Sequence, residues 1–398
     1  MKPVSCIYVV FNSVYWLLSA LLFPILTVHM MQQGMTALDI GFAVAITSVC
    51  YLICDIPAGY VSDRVKKKFV FAFSLLLHAL TFLIWALAET HWCLFVAYGL
   101  WGIARSFQSG TLESWYINQL DKPERERESK QAFAWNGVAT ATSIALGVGV
   151  TSIVSSHYDY VIVFALASLL MIILSALSLV ILHEKTLAER DVTPVSAPLL
   201  NQVWPVIRQL SFNRFLFLTT SYGLCFGFLE TFWMPMGISK GFSETHISQA
   251  YSLAYLISAL VLGYIIAKRA TLFDERYVPL LRSLFGLSFI GLGLSSNSWV
   301  FSLCLILIYV LSFVEGPILR SGINQAITRD RHRTLFLSIE SSAKQGVSIV
   351  GGVLCAWVYN HAGGQAVGWL LGLACLLSTI PYFIYNARPK SEPHNQTS

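Results

Sequence analysis

The chain is poor in charge. Of its 398 residues only 12% are Asp, Glu, Lys or Arg and 56% are apolar, whereas soluble domains average about 25% charged and roughly 45–50% apolar. So few charges cannot cover a water-soluble surface, and the apolar residues come in long runs rather than short periodic sets. Long polar stretches are equally scarce: the only one runs from 183 to about 213. The net charge of +5 is spread over short basic clusters with no basic face, which sets nucleic acid aside as a partner. None of the eight cysteines belongs to a C-x-x-C pair and all lie in apolar stretches, so packing is expected rather than a disulfide framework or zinc site. His29 and His78 lack a second ligand at metal spacing, so no metal is expected. There is no G-x-x-x-x-G-K-[S/T] loop for a nucleotide-driven pump, and no nucleophile–base pair or cofactor motif for an enzyme. The first apolar stretch has no small-residue cleavage site and reads as a retained helix.

What is present is a succession of apolar segments. A spanning helix needs about 20 such residues, and breaks at charged or Gly/Pro-rich points leave twelve candidates: 7–29, 39–61, 69–88, 92–116, 132–155, 160–182, 214–237, 247–268, 277–295, 299–322, 335–359 and 366–387. Of the 26 Lys and Arg, 21 fall in the termini and in, or at the edge of, the loops 62–68, 117–131, 183–213, 268–276 and 323–334. Lys240 alone falls in a loop of the other side, and Arg105, Arg282, Arg320 and Lys344 lie within the segments. The positive-inside rule then puts both termini in the cytoplasm.

At an offset near 206 the two halves resemble each other. Gly110, Ile117, Asn118 and Gln119 match Gly316, Ile323, Asn324 and Gln325, and Glu124, Arg125 and Arg127 match Asp330, Arg331 and Arg333. Gly59-Tyr60 corresponds to Gly263-Tyr264. The expected fold is an all-α membrane protein of 12 transmembrane helices, in two six-helix bundles related by a parallel pseudo-two-fold along the membrane normal. The expected divisions are 1–182 for the first bundle, 183–213 for a cytoplasmic linker, 214–387 for the second bundle and 388–398 for a cytoplasmic tail.

The loop after the second segment reads Gly59-Tyr-Val-Ser-Asp63-Arg64-Val-Lys66-Lys67-Lys68, which resembles the G-x-x-x-D-R-x-G-R-R signature of the major facilitator superfamily. Arg105-Ser-Phe-Gln108-Ser-Gly110 in the fourth segment is similar to that family's R-x-x-Q-G motif with the glycine displaced by one. The pattern is closest to the bacterial drug:proton antiporter branch. Two positions depart from it: Lys66 stands where the family has a turn glycine, and the fifth segment has Gly137, Gly147 and Gly149 but no Gly-Pro step. The resemblance implies a proton-coupled secondary active transporter that exports small organic molecules across a bacterial inner membrane by alternating access. Its partners would be a small-molecule substrate, protons and the bilayer, with the proton gradient in place of a cofactor and a monomer as the unit. A dedicated exporter of one metabolite, such as a siderophore, and a proton-coupled uptake symporter are the alternatives. The resemblance also implies a cytoplasmic latch of Gly59, Asp63, Arg64, Lys67 and Lys68 set against the start of the eleventh segment.

Asp55, Glu113, Glu230, Glu315 and Glu340 fall inside the segments, where an acid facing lipid is costly and a functional placement is the default expectation. Eight residues separate Arg105 from Glu113, about 80° around a continuous helix, so both can border one aqueous cavity. Proton coupling is accordingly assigned to Glu113, Arg105 and Asp55, with a plain buried pair of Glu113 with Arg105 or Arg320 as the alternative. Glu340 and Lys344, spaced i, i+4, suit either the latch or an ion pair of their own. In the seventh segment Tyr222, Phe226, Glu230 and Trp233 share one helix face, a stripe suited to a lipophilic cation. Glu315, Arg320, Asn12, Tyr15 and Gln108 complete the expected substrate cavity, and the two arginines suit an anion equally well. Substrate charge stays open at this point.

Overall fold

The computed structural model describes the backbone of residues 2–120, 125–155, 157–184, 210–268, 275–326 and 333–380, with side chains except in short stretches that include Asp63, Phe226, Glu230, Arg320 and Glu340. Helices make up the described regular structure apart from one 3-10 turn, with no strand among the described residues. They are α1 (Pro3–Ala20), α2 (Leu26–Gln32), α3 (Ala37–Arg64), α4 (Lys67–Leu87), α5 (His91–Gln108), α6 (Thr111–Gln119) and α7 (Arg125–Val154). There follow α8 (Tyr160–Ile181), α9 (Leu210–Ile238), α10 (Glu244–Lys268), α11 (Val278–Leu294), α12 (Ser298–Ala326) and α13 (Arg333–Leu377). Gly363, at φ 74°, breaks α13 into two arms. Among the described residues seven helices are long and apolar enough to cross a membrane, and α11 is a shorter apolar one. The linker expected at 183–213 lies mostly outside the described residues.

Local chemistry sets the ends. Thr36 and Asp39 form a capping box at the start of α3: the Thr36 Oγ1 accepts from the Asp39 amide at 3.2 Å, and the Asp39 carboxylate accepts from the Thr36 amide at 2.9 Å. The turn after α3 passes through Lys66 at φ −56° and ψ 128°, a conformation open to any residue. A glycine is therefore not required there, which accounts for the departure from the family signature. Lys240 donates to the carbonyls of Gly293 and Ser295 at 2.8 and 2.7 Å, capping the negative end of α11. Partial burial pulls its ammonium below the ordinary lysine value, so the one cation of its side serves a helix end.

The packing repeats between the halves. In the first half α1 packs on α7, α3 on α5 and α4 on α8; in the second α9 packs on the first arm of α13, α10 on α12 and α11 on the second arm. Among the described residues the main contacts between the halves are α7 with α10 and α3 with α13, which exchange under the same two-fold, and α2 makes a smaller one with α9. Small residues permit the close approach: an added Cβ at Gly147 would meet the Leu17 carbonyl oxygen at 2.5 Å, and one at Gly41 the Ala356 Cβ at 2.5 Å.

Among the described residues the interface is closed at one end. Opposite the basic face that carries Arg64 to Lys68, Tyr160 donates to Glu244 at 2.5 Å and Ser252 to the Ala145 carbonyl at 2.7 Å, both across the halves. In α3, Ala37, Ile40, Gly41, Ala43, Thr47 and Ser48 are buried, whereas from Leu52 to Val61 only Ala58 is, among the described side chains. Among the described side chains this stretch of α3 is mostly exposed, so the described parts of the two halves diverge toward the basic face.

Candidate functional site: a cleft between the two halves

A cleft of about 400 Å³ lies between the halves, inside the range of about 300–1,000 Å³ usual for small-molecule sites. The first half contributes Tyr15, Trp16, Tyr98, Trp101, Arg105 and Thr140, and the second Tyr222, Thr231, Tyr255, Ser312 and Phe313. A side chamber of about 220 Å³ adjoins it, sharing Val44, Trp101, Arg105 and Thr231 and adding Thr47, Ser48, Lys344, Gln345 and Ser348.

Each key side chain has a local support. Arg105 stands in the last turn of α5, one turn after Trp101, with its guanidinium 5.7 Å from the ring centres of both Trp101 and Tyr51. Tyr51 donates to the Ser109 hydroxyl at 3.2 Å and neighbours Asp55. Tyr15 faces His78 Nε2 at 3.1 Å, while His78 Nδ1 lies 2.8 Å from the Ser74 carbonyl. A carbonyl only accepts, so Nδ1 carries the proton of the neutral ring and the Tyr15 hydroxyl donates to Nε2. Lys344 is seated by glycine. A Cβ on Gly223 would stand 2.7 Å from the Lys344 Cγ, and one on Gly227 would stand 2.6 Å from the Ser348 Oγ. Bare backbone at both positions lets α13 lie against α9, with the Lys344 ammonium 5.5 Å from the Tyr222 ring centre.

The structure brings Arg105, Tyr15 and Tyr222 to the cleft as expected, and moves several other residues away from it. Glu113 is exposed on α6, away from the cleft, because Gly110 adopts φ 68° and ends the preceding helix; the 80° reckoning assumed one continuous helix. Glu315 does not line the cleft either. It is buried against Arg282, Nη2 to Oε1 at 2.6 Å, with neither side chain exposed. Trp233 is likewise buried, stacked on Tyr251 at 4.1 Å. Asn12 turns to Asn136 and Thr140, at 3.0 Å each, and Gln108 ends α5 without reaching the cleft. Phe226, Glu230, Arg320, Asp63 and Glu340 lie outside the described side chains. Of the remaining latch residues, Gly59 is exposed with no atom within 4 Å of an added Cβ. Arg64 lies 3.9 Å over the Tyr60 ring, Lys67 donates to Ser62 at 2.9 Å, and Lys68 donates to the Leu179 carbonyl at 3.3 Å and through its amide to Glu184 at 2.7 Å. Of these four partners Tyr60, Ser62 and Leu179 belong to the first half and Glu184 to the start of the linker.

Sequence reasoning missed Lys344 as a lining residue, having paired it along its own helix, and missed Trp101, although its place one turn before Arg105 was a usable signal. It also missed the Arg282–Glu315 pair, for which opposite charges in consecutive segments were the available sign.

Comparison with known proteins fits this geometry. The profile of the Major Facilitator Superfamily matches residues 9–329. The chain belongs to that superfamily. This major facilitator is a membrane transporter and not an enzyme. It is 21% identical to the uncharacterized MFS-type transporter YxaM of Bacillus subtilis (strain 168), over 96% of each chain. Its fold is similar to that of the nucleoside transporter NupG, with a TM-score of 0.74, 14% identity and coverage of 98% of this chain and 100% of that one. It is also similar to a bacterial homolog of the human lysosomal transporter Spinster in an inward-facing and occupied conformation (TM-score 0.76, 10% identity, 97% of each chain), and to the human organic anion transporter MFSD10 (TM-score 0.66, 18% identity, 96% and 100%).

The closed end of this major facilitator is open to test. Tyr160→Phe removes the hydrogen bond to the Glu244 carboxylate, worth about 1.5–3 kcal/mol for a charged acceptor, which is roughly a ten- to hundredfold shift toward the state open at the far face. A cysteine introduced at Phe23, which lines the cleft, is expected to react faster with an impermeant thiol reagent from that face when Tyr160→Phe is added. An unchanged rate would mean that the Tyr160–Glu244 bond does not hold the closure.

Proposed function

We propose that the chain is a proton-coupled secondary active transporter that exports small organic molecules across a bacterial cytoplasmic membrane by alternating access. The observation that carries this reading is the cleft lined from both halves, sealed at one end and open at the basic face. A molecule entering from the basic face can leave on the other side only if the halves rock past each other. By the positive-inside rule the basic face and both termini are cytoplasmic, so the cleft faces inward, the loading state of an exporter. The two six-helix bundles, 1–182 and 214–387, are the rocking units, and a monomer suffices because the cleft is built within one chain.

Coupling is assigned to Asp55 with Arg105, rather than to Glu113. Asp55 neighbours Tyr51, whose ring lies under the Arg105 guanidinium at the cleft wall, so a proton gained or lost there changes the charge balance beside the substrate. The gradient supplies the energy and no cofactor is required.

The test is transport into everted membrane vesicles from a pump-deficient host, energised by respiration and challenged with fluorescent dyes of either charge. Uptake into everted vesicles corresponds to export. It is expected to collapse on addition of a protonophore and to fall about tenfold or more with Asp55→Asn. Dye accumulation by intact cells instead would reverse the direction, and transport indifferent to the protonophore would remove the proton from the mechanism.

A further inference from the structure

We infer that Tyr15 selects the transported molecule by a hydrogen-bond donor: the substrate is a flat aromatic or heterocyclic molecule whose N–H or O–H is accepted by the Tyr15 oxygen at the wall of the cleft. The inference rests on the transporter reading and names a feature of its substrate. Tyr15 lines the cleft from α1, and its single hydroxyl proton is already committed. His78 is fully buried with Nδ1 2.8 Å from the Ser74 carbonyl, so the neutral ring accepts at Nε2, where the Tyr15 hydroxyl donates at 3.1 Å. The Tyr15 oxygen is left with lone pairs alone, and a ligand meets it as an acceptor. His78 acts through Tyr15 as a positioning residue.

A second observation stands one turn further along the same face of α1. Ser19 also lines the cleft and is only 6% exposed. Its hydroxyl stands near that of Tyr15 but outside hydrogen-bonding geometry, and among the described residues it has no partner. A helical serine can satisfy itself by bonding to the carbonyl four residues before it; this one does not, and a buried hydroxyl left unpaired is costly. A polar ligand group beside Tyr15 satisfies it. The second half offers acceptors as well. Thr231 on α9 donates to the Gly227 carbonyl at 3.1 Å and Ser312 on α12 to the Tyr309 carbonyl at 2.6 Å, so each lines the cleft with its proton spent. Arg105 and Thr140, whose oxygen accepts from Asn12 at 3.0 Å, stand on the same wall as donors. The wall therefore carries both kinds of group, and Tyr15 fixes which one a ligand meets at its own place. Trp16, edge-on to Tyr15 with ring centres 5.5 Å apart, and Trp101 supply aromatic surface for a flat body.

The test measures thermal stabilisation and binding with the full-length protein in detergent, using three neutral pairs that differ by one methyl group: indole and 1-methylindole, quinolin-2-one and its N-methyl form, 2-naphthol and 2-methoxynaphthalene. At least one donor-bearing compound is expected to raise the melting temperature and to bind about three- to tenfold more tightly than its methylated partner. Tyr15→Phe is expected to bring that ratio close to one; both members of a pair are read on the same variant, so lost folding cannot imitate the result. Ser19→Ala, the gentler change, is expected to weaken the donor-bearing compound while the ligand-free melting temperature stays level or rises, because an unpaired buried group is removed. His78→Phe frees the Tyr15 proton and is expected to improve binding of 2-methoxynaphthalene, whose oxygen accepts, a gain that a merely structural histidine would not give. Equal binding within all three pairs, no shift with any of the six compounds, a ratio retained in Tyr15→Phe, or no gain for the ether in His78→Phe overturns the inference. Counterflow of the bound compound in proteoliposomes distinguishes the two levels. A donor-bearing compound that binds selectively but is not carried sinks the transport reading and leaves Tyr15 as the selecting group, whereas equal carriage of both members of a pair does the reverse.

Discussion

Glu315→Leu is expected to leave little folded protein, while the double variant Arg282→Met/Glu315→Leu accumulates much as the parent does. Arg282 lies on α11 and Glu315 on α12, joined at 2.6 Å with both side chains fully buried. The guanidinium also donates to the Leu218 carbonyl at 3.0 Å and the Ser221 hydroxyl at 3.4 Å, so one cation ties three helices of the second half. Removing one partner of a buried pair strands a charge, at about 3–5 kcal/mol, a large share of a typical total stability of about 5–15 kcal/mol. Arg282→Met is expected to be the milder single change, because a stranded carboxyl can take up a proton and a guanidinium cannot shed one. Replacing both residues with apolar side chains of similar volume removes charge and desolvation together and is often neutral or better. The measurement is the monodisperse fraction on size-exclusion chromatography with the melting midpoint of each variant. A Glu315→Leu protein that melts with the parent would show that the pair contributes no net stability.

Gly102→Ala is expected to part α3 from α5 and lower the melting temperature by several degrees, and Gly102→Val to abolish folding. The added Cβ would lie 2.2 Å from the Thr47 carbonyl oxygen and 3.0 Å from the Cys50 Cβ. A backbone oxygen cannot swing aside, and Thr47 is further fixed by donating through its hydroxyl to the Tyr98 carbonyl at 2.8 Å. Overpacking of this kind costs typically about 1–3 kcal/mol, and contact with backbone rather than a side-chain tip places Gly102 at the upper end. Function is expected to suffer as well, since α3 carries Thr47 and Ser48 and α5 carries Trp101 and Arg105, all on the cleft or its side chamber. Gly316→Ala is the control, because nothing lies within 4 Å of a Cβ there. Equal melting of the Gly102→Ala and Gly316→Ala proteins would mean that the α3–α5 spacing does not depend on that glycine.

The helical class, the order of the segments, the internal duplication and the family motif were legible from residue types and their spacing alone. Each is a local property: a run of apolar residues is long enough or not, a glycine pair recurs at a fixed offset or does not. Arg105, Tyr15 and Tyr222 were found because an intramembrane charge and polar aromatic groups in apolar segments are conspicuous in one dimension. Where a local rule assumed too much, it failed. Glu113 was carried onto the face of a helix that Gly110 had already ended at φ 68°, and Trp233 was counted toward the cleft although its stacking partner Tyr251 lies on the next helix.

By itself the sequence determined that this is a helical membrane transporter of duplicated design with ionisable residues buried among its helices. Only the tertiary structure decided which residues meet: Glu315 with Arg282 rather than with a substrate, and Lys344 across a chamber from Arg105, whose residue number is lower by more than two hundred. The reason is physical. Hydropathy and periodicity act within a helix, whereas a site between halves depends on helix rotation and separation, which are set where small residues such as Gly102, Gly223 and Gly227 let two backbones approach.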